Sequence, residues 1–429
     1  MPSKSDINDI SDINMLGLIS KQTQKMMIYK KVPGKATERI YTKGEQAEEL
    51  VNSLSKGAYL KHWCYPNPID IDGDKKEICD LLILFFDTAI IISVKNYDLK
   101  GNYERFKKRV IEKSSKQLFG AERKLFQSKR PIKISHSEKG EEIFNPDNYK
   151  NVFRITVSAG EDFDDYEFID NQEGKGSVTI FNKETFEIIV QELDTIKDLI
   201  EYLKSREGLF LKNIGSKCNC FEKDLLAHFL MNKREFSNEL ISDFEKETES
   251  LKNKWDSYLQ NRSVFIKKLE DEKSYFIDEL IKNDVLKLPN GELLAKELMT
   301  LSRFERRIIS QNLFELVEKN QNRDDFLARR FTKYNGIGFL FIYYPIEKPQ
   351  EEIDFILKKA QELYAYYHNS SKIVLLAASK GLEQWKFSLF QASVLNDEIE
   401  NYLQELAKNF GWFQNEKRTA RIIKEFPDE

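Results

Sequence analysis

Apolar residues form two short runs between Glu77 and Asn96, EICDLLILFFDTAIIISVKN, on either side of a polar break at Asp87-Thr88. Runs of this length predict a β-hairpin of buried strands. A tight turn at Asp87-Thr88 sets Asp80 opposite Lys95, and side chains opposed in this way lie about 5 Å apart. Alternation puts Ser93 on the same face as Lys95. An acid and a lysine therefore leave an apolar sheet together.

The rest of the pattern surrounds this hairpin. Upstream, MMIYKKVPG predicts a strand ending at Pro33-Gly34. GEQAEELVNSLSKG has helical spacing, with Ala47, Leu50, Val51 and Leu54 on one face and Gly57 as its stop. AYLKHWCYPNP reads as a strand entering a proline-rich loop. Downstream, the spacing predicts one long helix from Tyr103 to Gln127. NVFRITVSAG and GSVTIFN predict further strands of the same sheet, with an acidic loop between them. A helix is expected from Ile196, capped by Asp194-Thr195 and closed by Gly208. From Asn232 to Val285 apolar residues recur every three or four positions, as in a long helix or helical hairpin. The end changes character: GIGFLFIYYP and KIVLLAASK read as strands, with helices after each. The order implies a mixed α/β (α+β) chain. It divides into an N-terminal arm over 1–25, a first domain over 26–231, a helical connector over 232–325 and a small α/β module over 326–429.

Composition narrows the function classes. The chain has 429 residues, 41% of them hydrophobic, enough for more than one core. Net charge is −4, so any contact with nucleic acid has to be local. One stretch is locally basic: Lys95 to Lys133 holds thirteen Lys or Arg against four acids, a charge of +9. Four cysteines at 64, 79, 218 and 220 are too few for a disulfide framework. Cys218-Asn219-Cys220, with only His228 near in sequence, lacks the ligands of a zinc site. The N-terminus has no signal-peptide core, and no apolar run is long enough to span a bilayer. A cytoplasmic protein with no membrane partner is expected.

Asp80, then Ser93-Val94-Lys95, follow a Glu-bearing helix and precede the basic helix KKRVIEKSSKQLFGAERKL. This order resembles the PD-(D/E)XK, or restriction-endonuclease-like, nuclease superfamily over roughly residues 40–130. The resemblance implies a mixed sheet flanked by helices and Mg²⁺- or Mn²⁺-dependent hydrolysis of DNA or RNA, DNA first. It implies that Asp80 and Lys95 are catalytic and that Glu48 from the preceding helix completes the metal site. Glu45 lies one turn earlier. The sequence departs from the pattern at Ser93, where an acid is usual. Serine is a poor ligand for Mg²⁺, so Glu77 becomes a further candidate for both metal binding and catalysis. Its strand parity differs from that of Asp80, and a bulge or turn would have to bring it in. The resemblance also implies substrate contacts from the basic helix, at Lys113, Ser114, Lys116 and Gln117. A nuclease joined to an unrelated module has the architecture of bacterial anti-phage defence, by analogy alone. Its helical connector and C-terminal module offer surfaces for self-association or a protein partner. Three alternatives remain open from sequence: a cross-strand ion pair with no chemistry, a degenerate nuclease that binds without cutting, and a helical adaptor.

Overall fold

The structure is a computed structural model that describes residues 17–18, 43–161, 163, 166–323, 327–344, 348–382, 384–392, 397–414, 417 and 420–427. The strand expected at 26–34 and most of the 1–25 arm lie outside them. The chain forms two units: Pro33–Val264, and Met1–Val32 with Phe265–Glu429. The division falls inside the stretch expected as a connector.

In chain order the first strand, β1 (Gly17–Leu18), belongs to the sheet of the second unit. The first unit opens with α1 (Lys43–Tyr59), β2 (Cys64–Pro66), β3 (Leu81–Phe85) and β4 (Thr88–Lys95). Every residue of β3 and β4 is buried, the signature of strands covered on both faces. Next come α2 (Tyr103–Phe106), a π-helical segment (Lys107–Glu112) and α3 (Lys113–Phe126), which together make the expected long helix. A hairpin of β5 (Ile132–His136) and β6 (Gly140–Phe144) leads to β7 (Asn151–Ser158), β8 (Ile169–Gln172) and β9 (Gly176–Asn182). The six-stranded sheet has the order β2-β3-β4-β7-β9-β8. Its centre, β4-β7-β9, is parallel, and the outer pairs are antiparallel. The stretch between β7 and β9, expected as loop alone, thus contributes an edge strand.

The hairpin register departs from expectation. The turn is Phe86-Asp87 rather than Asp87-Thr88, with Phe86 at φ +48° and Phe85 paired to Thr88. Leu81 consequently faces Ile92, and one further step puts Asp80 opposite Ser93, not Lys95. Asp87 has another task. Its carbonyl accepts from the backbone N–H of Lys150 and Asn151, and its carboxylate from the Asn151 amide, which fixes the start of β7.

Two helix stops also fail. α1 passes Gly57 to Tyr59, and α5 (Ile196–Lys212), after α4 (Lys183–Glu192), passes Gly208. An internal glycine costs a helix about 1 kcal/mol, less than is gained by burying Tyr59, or Leu209 and Phe210. The expected cap is present: the Thr195 hydroxyl accepts from the Asp198 N–H at 3.1 Å.

The charged helical stretch is a series of short helices rather than one long helix or a hairpin. In the first unit these are α6 (Glu222–Met231), α7 (Asn238–Ser242), α8 (Phe244–Ser250) and α9 (Lys254–Gln260). Asn253, left-handed at φ +63°, separates α8 from α9. Then follow α10 (Arg262–Asp271), α11 (Tyr275–Asn283), α12 (Gly291–Met299) and α13 (Arg303–Asn320).

The second unit carries β10 (Ala328–Tyr334), β11 (Ile337–Tyr344), α14 (Gln350–Tyr367), β12 (Lys372–Ser379), β13 (Trp385–Gln391) and α15 (Asp397–Phe410). Its sheet has the order β1-β13-β12-β11-β10. β11 and β12 are parallel and joined through α14, the strand–helix–strand module expected from sequence. Two strands beyond those expected, β10 and β13, extend it. The β10–β11 hairpin turns at Asn335-Gly336, both with positive φ, as the two-residue turns that suit strand twist require.

Candidate active site

The acid and the lysine meet despite the shifted register. Asp80 Oδ2 accepts from the Ser93 hydroxyl at 3.0 Å and from the Val94 N–H, and lies 3.9 Å from Lys95 Nζ. Lys95 Nζ donates to Ser93 Oγ at 2.6 Å and to the Val94 carbonyl at 3.2 Å. Its side chain is 10% exposed and that of Asp80 16%, so the pair is shielded without being sealed. Strand alternation places Ser93 and Lys95 on the face of Ala89 and Ile91, which pack with Leu118, Phe119 and Ala121 of α3.

The stretch before β3 delivers the second acid, Glu77, from an isolated β-bridge with Ile69. The Glu77 carboxyl is pushed up to about 7 by partial burial, then by a hydrogen bond and like charge from Asp80 and the charge of Glu48, against the opposing pull of Lys95. Glu77 lies outside β3, where strand parity no longer applies, and this is how it approaches Asp80. Glu48 is half-buried on α1, a helix that packs against β4. Asp80, Glu77, Glu48 and Lys95 therefore form one electrostatic cluster. Among the described residues no three His, Cys, Asp or Glu side chains converge as a ready-made metal site.

This crowding predicts a pH dependence. In the folded chain Glu77 keeps its proton above 4.5, where the unfolded chain has lost its own. The folded state then binds more protons, so its stability falls as pH rises from 4.5 to about 7. Glu77→Gln is expected to flatten that decline in urea unfolding across the window. Equal slopes in both proteins would remove the crowding.

The helix contacts are sorted differently from expectation. Ser114 is fully buried, and its hydroxyl lies 2.8 Å from that of Thr156 on β7, so it docks α3 on the sheet. Arg154 completes that docking with a two-pronged pair to Glu122 at 2.6 and 2.5 Å. Lys113, Lys116 and Gln117 are exposed. The basic run is also less free than its count implies. Lys95 pairs with Asp80, Lys107 with Glu167, Lys124 with Asp74, Arg130 with Asp70, and Lys133 with Glu141.

Parallel pairing sets Lys95 beside Ser158. The Ser158 hydroxyl is buried with no hydrogen-bond partner among the described residues. Past these strand ends opens a cleft of about 600 Å³, lined by Ala47, Leu50, Tyr97, Gly160, Glu161 and Lys183 among others. Ligands of α/β sheets commonly bind at such carboxyl ends. Glu161 braces the cleft by accepting from the N–H groups of Leu99 at 3.0 Å and Gly101 at 2.7 Å. A Cβ on Gly160 would run into the backbone of Tyr97. Gly160→Ala is expected to destabilise the chain by about 1–3 kcal/mol through overpacking, measured by urea unfolding. An unchanged midpoint would show that the two loops can part. Sequence reasoning did not single out Tyr97, Gly160, Glu161 or Lys183, because parallel pairing across sixty residues has no local signature.

Comparison with known proteins found no matching protein family, no matching curated protein and no matching solved structure. No helix among the described residues is long and apolar enough to cross a membrane.

Proposed function

We propose that the Pro33–Val264 unit is a metal-dependent nuclease that hydrolyses phosphodiester bonds of nucleic acid, DNA before RNA. The observation that carries this reading is the meeting of Asp80 and Lys95 at the end of a parallel core, with Glu77 and Glu48 crowded against them. Three carboxylates offer oxygen alone, the donor set of Mg²⁺ or Mn²⁺. Burial first, and then the negative charge of Asp80 and Glu48, keep a proton on Glu77, and that negative charge favours a cation in the same place. Asp80, Glu77 and Glu48 would hold it. Glu77 already hydrogen-bonds Asp80, and because no three acids converge among the described residues, Glu48 must swing in to join them. When bound, such an ion polarises the phosphate and acidifies water. The chain supplies the rest. Lys95, held by Ser93 and the Val94 carbonyl, presents a fixed positive charge to the phosphate. The exposed Lys113 and Lys116 draw in the backbone.

One observation favours a second reading, a nuclease fold that binds without cutting. Ser93 replaces the usual acid and closes a network with Asp80 and Lys95 that needs no metal. Incubating the purified chain with plasmid, single-stranded DNA and RNA in Mg²⁺, Mn²⁺ or EDTA separates the two. Metal-dependent shortening supports the nuclease; binding with no shortening under any condition supports the second reading.

A further inference from the structure

The long helix is interrupted by its π-helical segment at Lys107–Glu112, and such interruptions gather at functional sites. Here Arg109 of the segment and Lys113, the first residue of α3, both lie over one aromatic ring. The Arg109 guanidinium lies 5.8 Å from the centre of the Tyr97 ring and the Lys113 ammonium 5.9 Å. Lys113 also donates to the Tyr97 hydroxyl at 3.4 Å. Both cations come from one helix. Tyr97 is half-buried: it packs on the cluster of Leu99, Phe106 and Val110, and it lines the cleft beyond Lys95. Its backbone is held against Gly160, and the loop that follows it is held by Glu161. A ring fixed in advance loses little freedom when a ligand stacks on it.

We propose that Tyr97, flanked by Arg109 and Lys113, is a stacking platform for an unpaired nucleobase, so that the cleft admits a single strand of nucleic acid and not a duplex. The assignment rests on the reading of the Asp80–Lys95 site as one that acts on phosphodiesters. Two features carry it. The cleft, about 600 Å³, falls in the small-ligand range of roughly 300–1,000 Å³, room for a nucleotide or two. Aromatic rings beside a basic track are how proteins hold single strands without reading sequence, the ring taking the base and the cations the backbone. The cleft begins at Asn96, the residue after Lys95, and at Ala47, the residue before Glu48, so a base seated on Tyr97 brings its own backbone to the acid–lysine pair.

The test is binding in EDTA, by fluorescence anisotropy, of a labelled oligothymidylate and of a duplex of equal length. The wild type is expected to prefer the single strand. Tyr97→Ala should weaken single-strand binding about tenfold, the usual loss of one base–aromatic stack, and leave duplex binding unchanged. Tyr97→Phe keeps the ring and should bind as the wild type does, a comparison that stands even if the alanine variant folds poorly. Arg109→Gln with Lys113→Gln should reduce the slope of affinity against salt. Equal affinity for duplex and single strand, or a loss in Tyr97→Phe, overturns this assignment and leaves the nuclease reading standing. Single-strand binding that depends on the ring, without cleavage in Mg²⁺, supports the assignment and overturns only the hydrolytic reading. No binding of either probe overturns both.

Discussion

Lys95→Ala is expected to reduce Mg²⁺-dependent cleavage by ~10²–10³-fold, the usual loss when a group that stabilises transition-state charge is removed. Lys95 sits 3.9 Å from Asp80 and is otherwise held by Ser93 and a backbone carbonyl, so its charge is fixed beside the acid. Asp80→Asn should match it. The amide oxygen still accepts from Ser93 and Val94, so the fold is kept while the carboxylate charge is lost. Circular dichroism and the urea midpoint serve as controls on folding. Glu48→Gln and Glu77→Gln then separate two ways in which a site with Ser93 in place of an acid could work. If Glu48 supplies the missing ligand, its loss matches that of Asp80 and Glu77→Gln remains active. If Glu77 supplies it, the order reverses. Lys95→Ala cutting as fast as the wild type would place the chemistry elsewhere.

The second large effect concerns stability. Glu222→Ala is expected to destabilise the Pro33–Val264 unit by about 3–5 kcal/mol, the cost of leaving a buried charge without its partner. Arg206 and Glu222 are both buried, with Arg206 Nε to Glu222 Oε1 at 2.6 Å and Nη2 to Oε2 at 2.7 Å. The Tyr202 hydroxyl adds a bond to the same carboxylate. Arg206 also reaches Thr179 on β9 at 3.2 Å and the Phe168 carbonyl ahead of β8 at 2.8 Å, so the pair ties α5 and α6 to the far edge of the sheet. A loss of that size is a large share of the roughly 5–15 kcal/mol that holds a domain together. The double variant Arg206→Met with Glu222→Leu should recover most of it, since no charge then stays buried alone. Urea unfolding measures all three proteins. A small effect of Glu222→Ala alone would mean that water reaches Arg206.

The sequence by itself determined what depends on neighbours along the chain. The apolar runs at 81–85 and 88–95 specify buried strands, Thr195 caps its helix, and the strand–helix–strand order of the C-terminal module is observed. Even the meeting of Asp80 with Lys95 was legible, because strand alternation keeps both on one face whether the turn sits at Phe86 or one residue later. Tertiary structure decided what depends on distance in space. Asp87 binds the start of β7, sixty residues on, and that bond goes with the turn that puts Ser93 rather than Lys95 across from Asp80. Glu77 approaches Asp80 from an isolated β-bridge with Ile69 outside β3, a pairing that leaves no periodicity along the chain to predict from. Ser114 looks exposed in a polar, basic helix, yet it faces Thr156 because α3 buries that side on β7. Lys107, Lys124, Arg130 and Lys133 count as free charge along the chain and lose it to acids from other elements. The cleft exists only because parallel pairing of β4 with β7 brings residues 96–98 beside 159–161. Local propensities are set within a few residues, whereas register, charge pairing and concavity are set by contacts between segments that the linear order keeps far apart.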